Sequence, residues 1–139
     1  MRKHQAALRI AETVLLLLAP VYAQNGVVRA TIPFEFTADQ QAFAAGKYCI
    51  ASDGLATVRF TRFDSSHTAE VITVPIRGAP QTTPRIVFHS YGERYFLAEI
   101  WLGESNMGRQ VYASAAEVAM ARVRKQEVTT IIATTTATK

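Results

Sequence analysis

From Val28 to Phe36 the chain alternates: Val28, Ala30, Ile32, Phe34 and Phe36 are separated by Arg29, Thr31, Pro33 and Glu35. A period of two puts one side of a strand on a core. Pro33 has no N–H to give a ladder, which places this strand at an edge or on a bulge. Residues 37–46 read as a loop ending in Gly46, and Lys47–Ala51 as a second, short strand. Ser52-Asp53-Gly54 is a tight-turn signal, because Asp-Gly accepts the positive φ that such turns need. Two further strands cover Leu55–Phe63 and Ala69–Ile76, parted by the polar Asp64-Ser65-Ser66-His67. Gly78, Pro80 and Pro84 then make residues 77–84 a loop.

The clearest element follows. Arg85–Ser90 (RIVFHS) and Arg94–Leu102 (RYFLAEIWL) flank Tyr91-Gly92-Glu93, which predicts a hairpin. Ile86, Phe88, Tyr95 and Leu97 are large apolar groups of one parity; Val87, Phe96 and Ile100 are of the other. Strands apolar on both sides are covered on both sides, so this hairpin is expected to be central. Residues 103–110 read as a loop. Ser114-Ala115-Ala116-Glu117 has the form of a capping box, the Ser hydroxyl accepting from a backbone amide and Glu117 reaching back. The helix is expected over 114–127, with Ala116, Ala119, Met120 and Val123 as a narrow apolar stripe against a sheet. Val128–Ala133 returns as a seventh strand, and Thr134–Lys139 reads as a frayed tail. The sum is a mainly β fold, a barrel or sandwich of six to seven antiparallel strands with one C-terminal helix packed on it.

The N-terminus follows a different pattern. Arg2, Lys3 and Arg9 precede the apolar run Thr13–Ala19, and Val21-Tyr22-Ala23 supplies a small-residue site before Gln24. Basic, apolar and small-residue regions in that order predict a signal peptide over residues 1–23, cleaved between Ala23 and Gln24. The run is too short to span a bilayer, and no second one approaches the required roughly 20 residues. No cysteine follows it, which excludes lipid attachment there. Residues 24–133 are then expected to form one β-rich domain.

This leader changes the composition. The 139 residues are 49% hydrophobic with a net charge of +4, a mean hydropathy of +0.08 and a pI near 9.5. The leader holds Arg2, Lys3, Arg9 and Glu12, so the remaining 116 residues carry +2. That weak charge, with export, argues against a nucleic-acid partner even though strand aromatics can stack on bases. Cys49 is alone and cannot form an intramolecular disulfide. It reads as a small buried hydrophobe.

Candidate chemistry is sparse. Asp64, His67 and Glu70 have metal-ligand types at a spacing that matches no closed site. His89 lies next to Ser90, but adjacent strand residues point to opposite faces, which argues against a catalytic triad. The 103–108 loop lacks nucleophile-elbow spacing. There is no Gly-rich phosphate loop, cysteine pair or zinc-protease helix, so no catalytic residue, metal or cofactor is assigned. Tyr95, Leu97, Glu99 and Trp101 share one parity. Facing solvent, Tyr95, Glu99 and Trp101 would make a binding platform for a sugar or peptide. Facing inward, they are core and Glu99 needs a partner such as Arg85. His89 and Arg94, near the hairpin turn, complete the candidate contacts.

The hairpin, Val87-Phe88 through Tyr91-Gly92-Glu93-Arg94-Tyr95-Phe96-Leu97 to Trp101, resembles the signature of an uncharacterised group of small exported bacterial proteins, notably acidobacterial. Ile32-Pro33-Phe34-Glu35-Phe36 resembles their first strand. Ala45-Gly46-Lys47-Tyr48 resembles their Pro-Ala-Gly-x-Tyr turn, with Ala44 where Pro is usual, and Gly108-Arg109 before the Ser-started helix also fits. The resemblance implies export and one β-rich domain; it transfers no catalytic residues. The expectation is an exported, non-enzymatic structural or interaction module of the envelope, periplasmic or extracellular, with an unidentified partner there. A ligand-binding module for a glycan or small apolar molecule, using an aromatic strand face or a barrel mouth, is the alternative.

Overall fold

The structure, a computed structural model, describes residues 27–79, 83–103 and 106–135; the predicted leader lies outside them. In chain order the elements are β1 (Val27–Ile32), β2 (Phe36–Ala38), β3 (Gln41–Phe43), β4 (Gly46–Asp53), β5 (Thr57–Arg62), β6 (Thr68–Ile72), β7 (Val74–Arg77), β8 (Arg85–Tyr91), β9 (Arg94–Trp101), β10 (Met107–Gln110), the helix α1 (Ala115–Val123), β11 (Glu127–Ile132) and β12 (Thr134–Thr135). One sheet runs β12-β1-β4-β5-β6. The other runs β11-β8-β9-β10-β7, with β2 also on β9 and β3 on β2. The two are not closed into a barrel; the fold is a sandwich. All pairings are antiparallel except β2 with β9, where Thr37 lies beside Phe96.

The chain crosses between sheets four times, once at the return from β3 to β4 and at three further places. The alternating segment predicted over Val28–Phe36 stops at Ile32, and after Pro33 the backbone re-enters the opposite sheet as β2. The strand predicted over Ala69–Ile76 splits at Thr73, β6 ending one sheet and β7 ending the other. Ala133 likewise separates β11 from β12. Thr73 and Ala133 are buried at these corners. Each satisfies its N–H on the carbonyl just before another strand: Thr73 on Ala56 at 2.7 Å and Ala133 on Pro84 at 3.0 Å. A period-two pattern continues through such a corner, so it does not mark the crossing. Arg109 of β10 adds a polar tie between the sheets, donating to Ser52 Oγ at 2.8 Å, to Gly54 O at 2.9 Å and to Leu55 O.

Two predicted loops contain strands. Within 37–46, β2 and β3 form a hairpin whose two-residue turn, Asp39-Gln40, has φ of 49° and 65°. Positive φ at both positions suits the strand twist but is usually supplied by Asn-Gly or Gly-Gly, so Asp-Gln gave no signal. Within 103–110, the last four residues form β10 between β9 and β7. Two residues of the predicted tail, Thr134 and Thr135, pair with Arg29 and Val28.

The core lies between the sheets. Val28, Ala30 and Ile32 of β1, Ile50 of β4, Val58 and Phe60 of β5 and Val71 of β6 meet Ile86, Phe88, Leu97 and Ile100 from the opposite sheet. Phe36 is the centre of an aromatic group, with ring centroids 4.9 Å from Phe43 and 5.2 Å from Phe88. Burying each such side chain contributes roughly 1.5–3 kcal/mol.

The hairpin β8–β9 is covered on both sides, as expected, and a bulge decides how. Val87 lies opposite Glu99 and Phe88 opposite Leu97, so Ala98 is an extra residue on β9. Its carbonyl accepts from Val111 N–H at 2.9 Å. The extra residue inverts parity: Leu97 and Ile100, three apart, both face the core. Val87, Tyr91, Phe96, Ala98 and Trp101 are buried outside the core cluster. They form a second apolar layer on the outer face of this sheet. There the Trp101 indole lies against Gly108 and Gly78, where an added Cβ would stand 2.7 Å and 2.5 Å from ring carbons.

Overpacking of this kind costs about 1–3 kcal/mol. G108A is therefore expected to lower unfolding stability by that amount and to shift the emission of Trp101, the chain's one tryptophan. Denaturant unfolding followed by fluorescence checks this; unchanged stability with unchanged emission would contradict the packing.

Candidate functional site

The outer face of β8 and β9 carries the candidate site. In β8, His89 and Tyr91 have the parity opposite to Phe88 and so point away from the core. Phe96 lies across from His89 on β9, its ring 5.8 Å from that of Tyr91. Arg94, exposed, sets its guanidinium 5.4 Å from the centre of the Phe96 ring. α1 lies over this face.

The helix starts as the sequence suggests. Ser114 is extended at the N-cap and its Oγ accepts from Glu117 N–H at 3.2 Å. The second half of the expected capping box is different. The Glu117 carboxylate turns to the sheet, where Oε2 accepts from His89 Nδ1 at 3.0 Å and from the Tyr91 hydroxyl at 2.9 Å. Two donors on a half-dry surface outcompete one backbone N–H that water already serves. The expected apolar stripe is also not the seat of the helix. Ala116 and Ala119 are exposed and Val123 is 76% exposed; the one buried residue of α1 is Glu117. α1 ends at Val123 rather than near 127, because Gln126 and Glu127 are drawn to the sheet. Gln126 places its amide 2.9 Å from the Tyr91 oxygen, and Glu127 begins β11 opposite Ser90.

The hydrogens of this cluster can be assigned by elimination. The Tyr91 phenol has one proton, and the carboxylate is its stronger acceptor. Gln126 Oε1, 2.9 Å from the phenol oxygen, is the second acceptor facing the same proton. Ionised Glu117 only accepts, so Nδ1 of His89 carries a hydrogen; Nε2 has no hydrogen-bond partner among the described residues. Burial, then the bond to Glu117 and its negative charge, push the Tyr91 phenol up to about 12.

Beside this network is an open groove of about 420 Å³, lined by His89, Tyr91 and Glu117 below and by Val118, Ala121 and Arg122 along the helix. Ala113 and Gln126 complete its lining. Sequence alone does not single out Glu117, Tyr91 and Gln126 as site residues. The available signal was that two polar-tipped residues share the non-core face of β8, while α1 holds a single acid.

The residues proposed as one platform are separated. Tyr95 faces the core side, its ring stacked on Phe34 at 3.8 Å. Glu99 and Trp101 are across the sheet beyond the Ala98 bulge, with the indole N–H donating to Glu99 Oε1 at 2.8 Å and the Arg85 guanidinium 5.2 Å from the Trp101 ring. Trp101 is 4% exposed. The shared parity of Tyr95, Glu99 and Trp101 therefore does not make a shared surface. His89 joins the groove, and Arg94 stands over Phe96 nearby. Ser90 points inward from His89, its Oγ donating to Glu127 O at 3.4 Å.

No family model, curated protein or solved structure matches the chain. Its own geometry therefore carries the functional reading. Among the described residues no group of three or more His, Cys, Asp or Glu is placed to hold a metal, and no helix is long and apolar enough to cross a membrane. Asp64 is paired with Arg62 at 2.7 Å, which pulls its carboxyl down to about 2. Cys49 is half-buried in β4 and unpaired.

The phenol gives a pH signature. A group whose folded pKa exceeds its unfolded value of 10.0 stabilises fully below that value, and the contribution is lost as pH rises toward about 12. Y91F, which takes a donor from a buried carboxylate, is expected to cost about 1–3 kcal/mol at neutral pH. The difference between the two proteins should shrink above pH 10.0. Denaturant unfolding across that range tests it; a gap that stays constant to the alkaline end would contradict the assigned bond.

Proposed function

We propose that the chain is an exported, non-enzymatic interaction module of the cell envelope, and that it binds through the groove beside α1. The observation that carries this reading is the make-up of the groove. Its floor is a network in which His89, Glu117, Tyr91 and Gln126 satisfy one another, and its wall is the exposed, apolar side of a helix. A network tied in this way holds a shape, which favours recognition. The Ser90 hydroxyl beside His89 is turned to the other face, which favours binding over acyl transfer. The basic, apolar and small-residue order of residues 1–23 supports export, as does the resemblance of the hairpin motif to exported bacterial proteins.

In the producing cell, the protein is expected in the periplasmic or extracellular fraction with Gln24 at its N-terminus. A photo-crosslinking residue at Val118, on the groove wall, should form an adduct in that fraction, whereas one at Leu55, 83% exposed on the β4–β5 turn, should not. A cytoplasmic protein that retains Met1, or equal crosslinking at the two positions, would overturn the proposal.

A further inference from the structure

The groove has linings of two kinds. Ala113, Val118 and Ala121 make an apolar wall, and its volume of about 420 Å³ is in the range of small-molecule sites, roughly 300–1,000 Å³. Arg122 and His89 are polar residues of the same lining. Arg122 makes no hydrogen bond or ion pair among the described residues. His89 is held through Nδ1 on Glu117, with Nε2 left over. The Glu117 charge is directed into the sheet, onto His89 and Tyr91.

We infer that this groove binds an acidic amphiphile, a molecule with one carboxylate and an apolar chain. The carboxylate sits between Arg122 and His89, and the chain lies along Ala113, Val118 and Ala121. The inference rests on the reading of the protein as a binding module and names what the module takes. Charge complementarity selects the ligand: with His89 as imidazolium, Glu117 and one ligand carboxylate balance His89 and Arg122. An apolar chain on Val118 and Ala121 also covers helix surface that is otherwise in water.

Binding a carboxylate at Nε2 requires a hydrogen there, while the hydrogen on Nδ1 stays with Glu117. The imidazole therefore gains one proton from solvent when the ligand arrives. The other ionisable groups on the elements around His89 are Glu117 and Arg122 of α1, Arg85 and Tyr91 of its own strand, and Arg94, Tyr95 and Glu99 of β9. Glu127 of β11, with Arg124 and Lys125 of the preceding loop, completes them. Tyr91, raised by burial, stays neutral. Proton uptake sets the sign: affinity rises as pH falls.

The test is calorimetric titration of the purified full chain with dodecanoate, dodecanol and dodecyltrimethylammonium, at about pH 6 and about pH 8. Dodecanoate should bind once per chain, about tenfold tighter than either analogue, more weakly at the higher pH and with proton uptake. R122A, a change at an exposed position, should weaken dodecanoate about tenfold and leave dodecanol unchanged. H89Q should remove the pH dependence, and circular dichroism establishes that each variant is folded. Equal binding of dodecanol, preference for the cation, or unaltered dodecanoate affinity in R122A overturns the acidic ligand. So does a Val118 crosslink to a protein or to a second copy of this chain with no dodecanoate binding, an outcome that leaves the binding-module reading in place. Loss of both the titration and the Val118 adduct removes both readings.

Discussion

The Glu117 carboxylate holds α1 on the sandwich, and the groove exists because of it. A nine-residue helix does not persist alone in water, even with four alanines, since nucleation is unfavourable and few bonds repay it. Such a helix usually gains its stability by burying an apolar stripe. Here every apolar residue of α1 except the half-buried Met120 is exposed, and a carboxylate is inside with His89 and Tyr91. A buried carboxylate is costly unless its oxygens are used. Two donors on β8 use them, and Gln126 completes the phenol from the chain that returns to β11. The result fixes the helix at one point and leaves a cleft along its flank.

That arrangement depends in turn on a single extra residue in β9. Without Ala98, Leu97 and Ile100 would face opposite sides and the hairpin would supply the core from half its length. With it, both serve the core, and Val87, Tyr91, Phe96 and Trp101 are collected on the far face, where Tyr91 and His89 meet α1. The bulge also marks where the second edge of β9 changes partner, from β2 near Phe96 to β10 near Glu99 and Ile100. Gly108 permits the last step, since any side chain there would meet the Trp101 ring.

Much of this fold was legible in the chain. The hairpin over Arg85–Leu102, its two-sided burial, the Asp-Gly turn signal and the Ser114 cap follow from residue types that act locally, through periodicity, φ or one hydrogen bond. What was not legible depends on contacts distant in sequence. The sheet crossings at Thr73 and Ala133 keep the same alternation on both sides of the corner. Ala98 carries no signature of its own, so counting by twos put Tyr95 and Trp101 on one face. Glu117 fitted a local role as a cap partner, and its real partners are 26 and 28 residues away. Of the five side chains proposed for ligand contact, only His89 lines the groove, because face assignment fails beyond a bulge.

One carboxylate, rather than an apolar stripe, seats the helix. Hydrogen exchange on E117A measures this directly, because alanine keeps helix propensity and Ser114 still caps. Amides of α1 should lose their protection while those of Ile50 and Phe60 in the core keep theirs. Protection of α1 unchanged in E117A would contradict it.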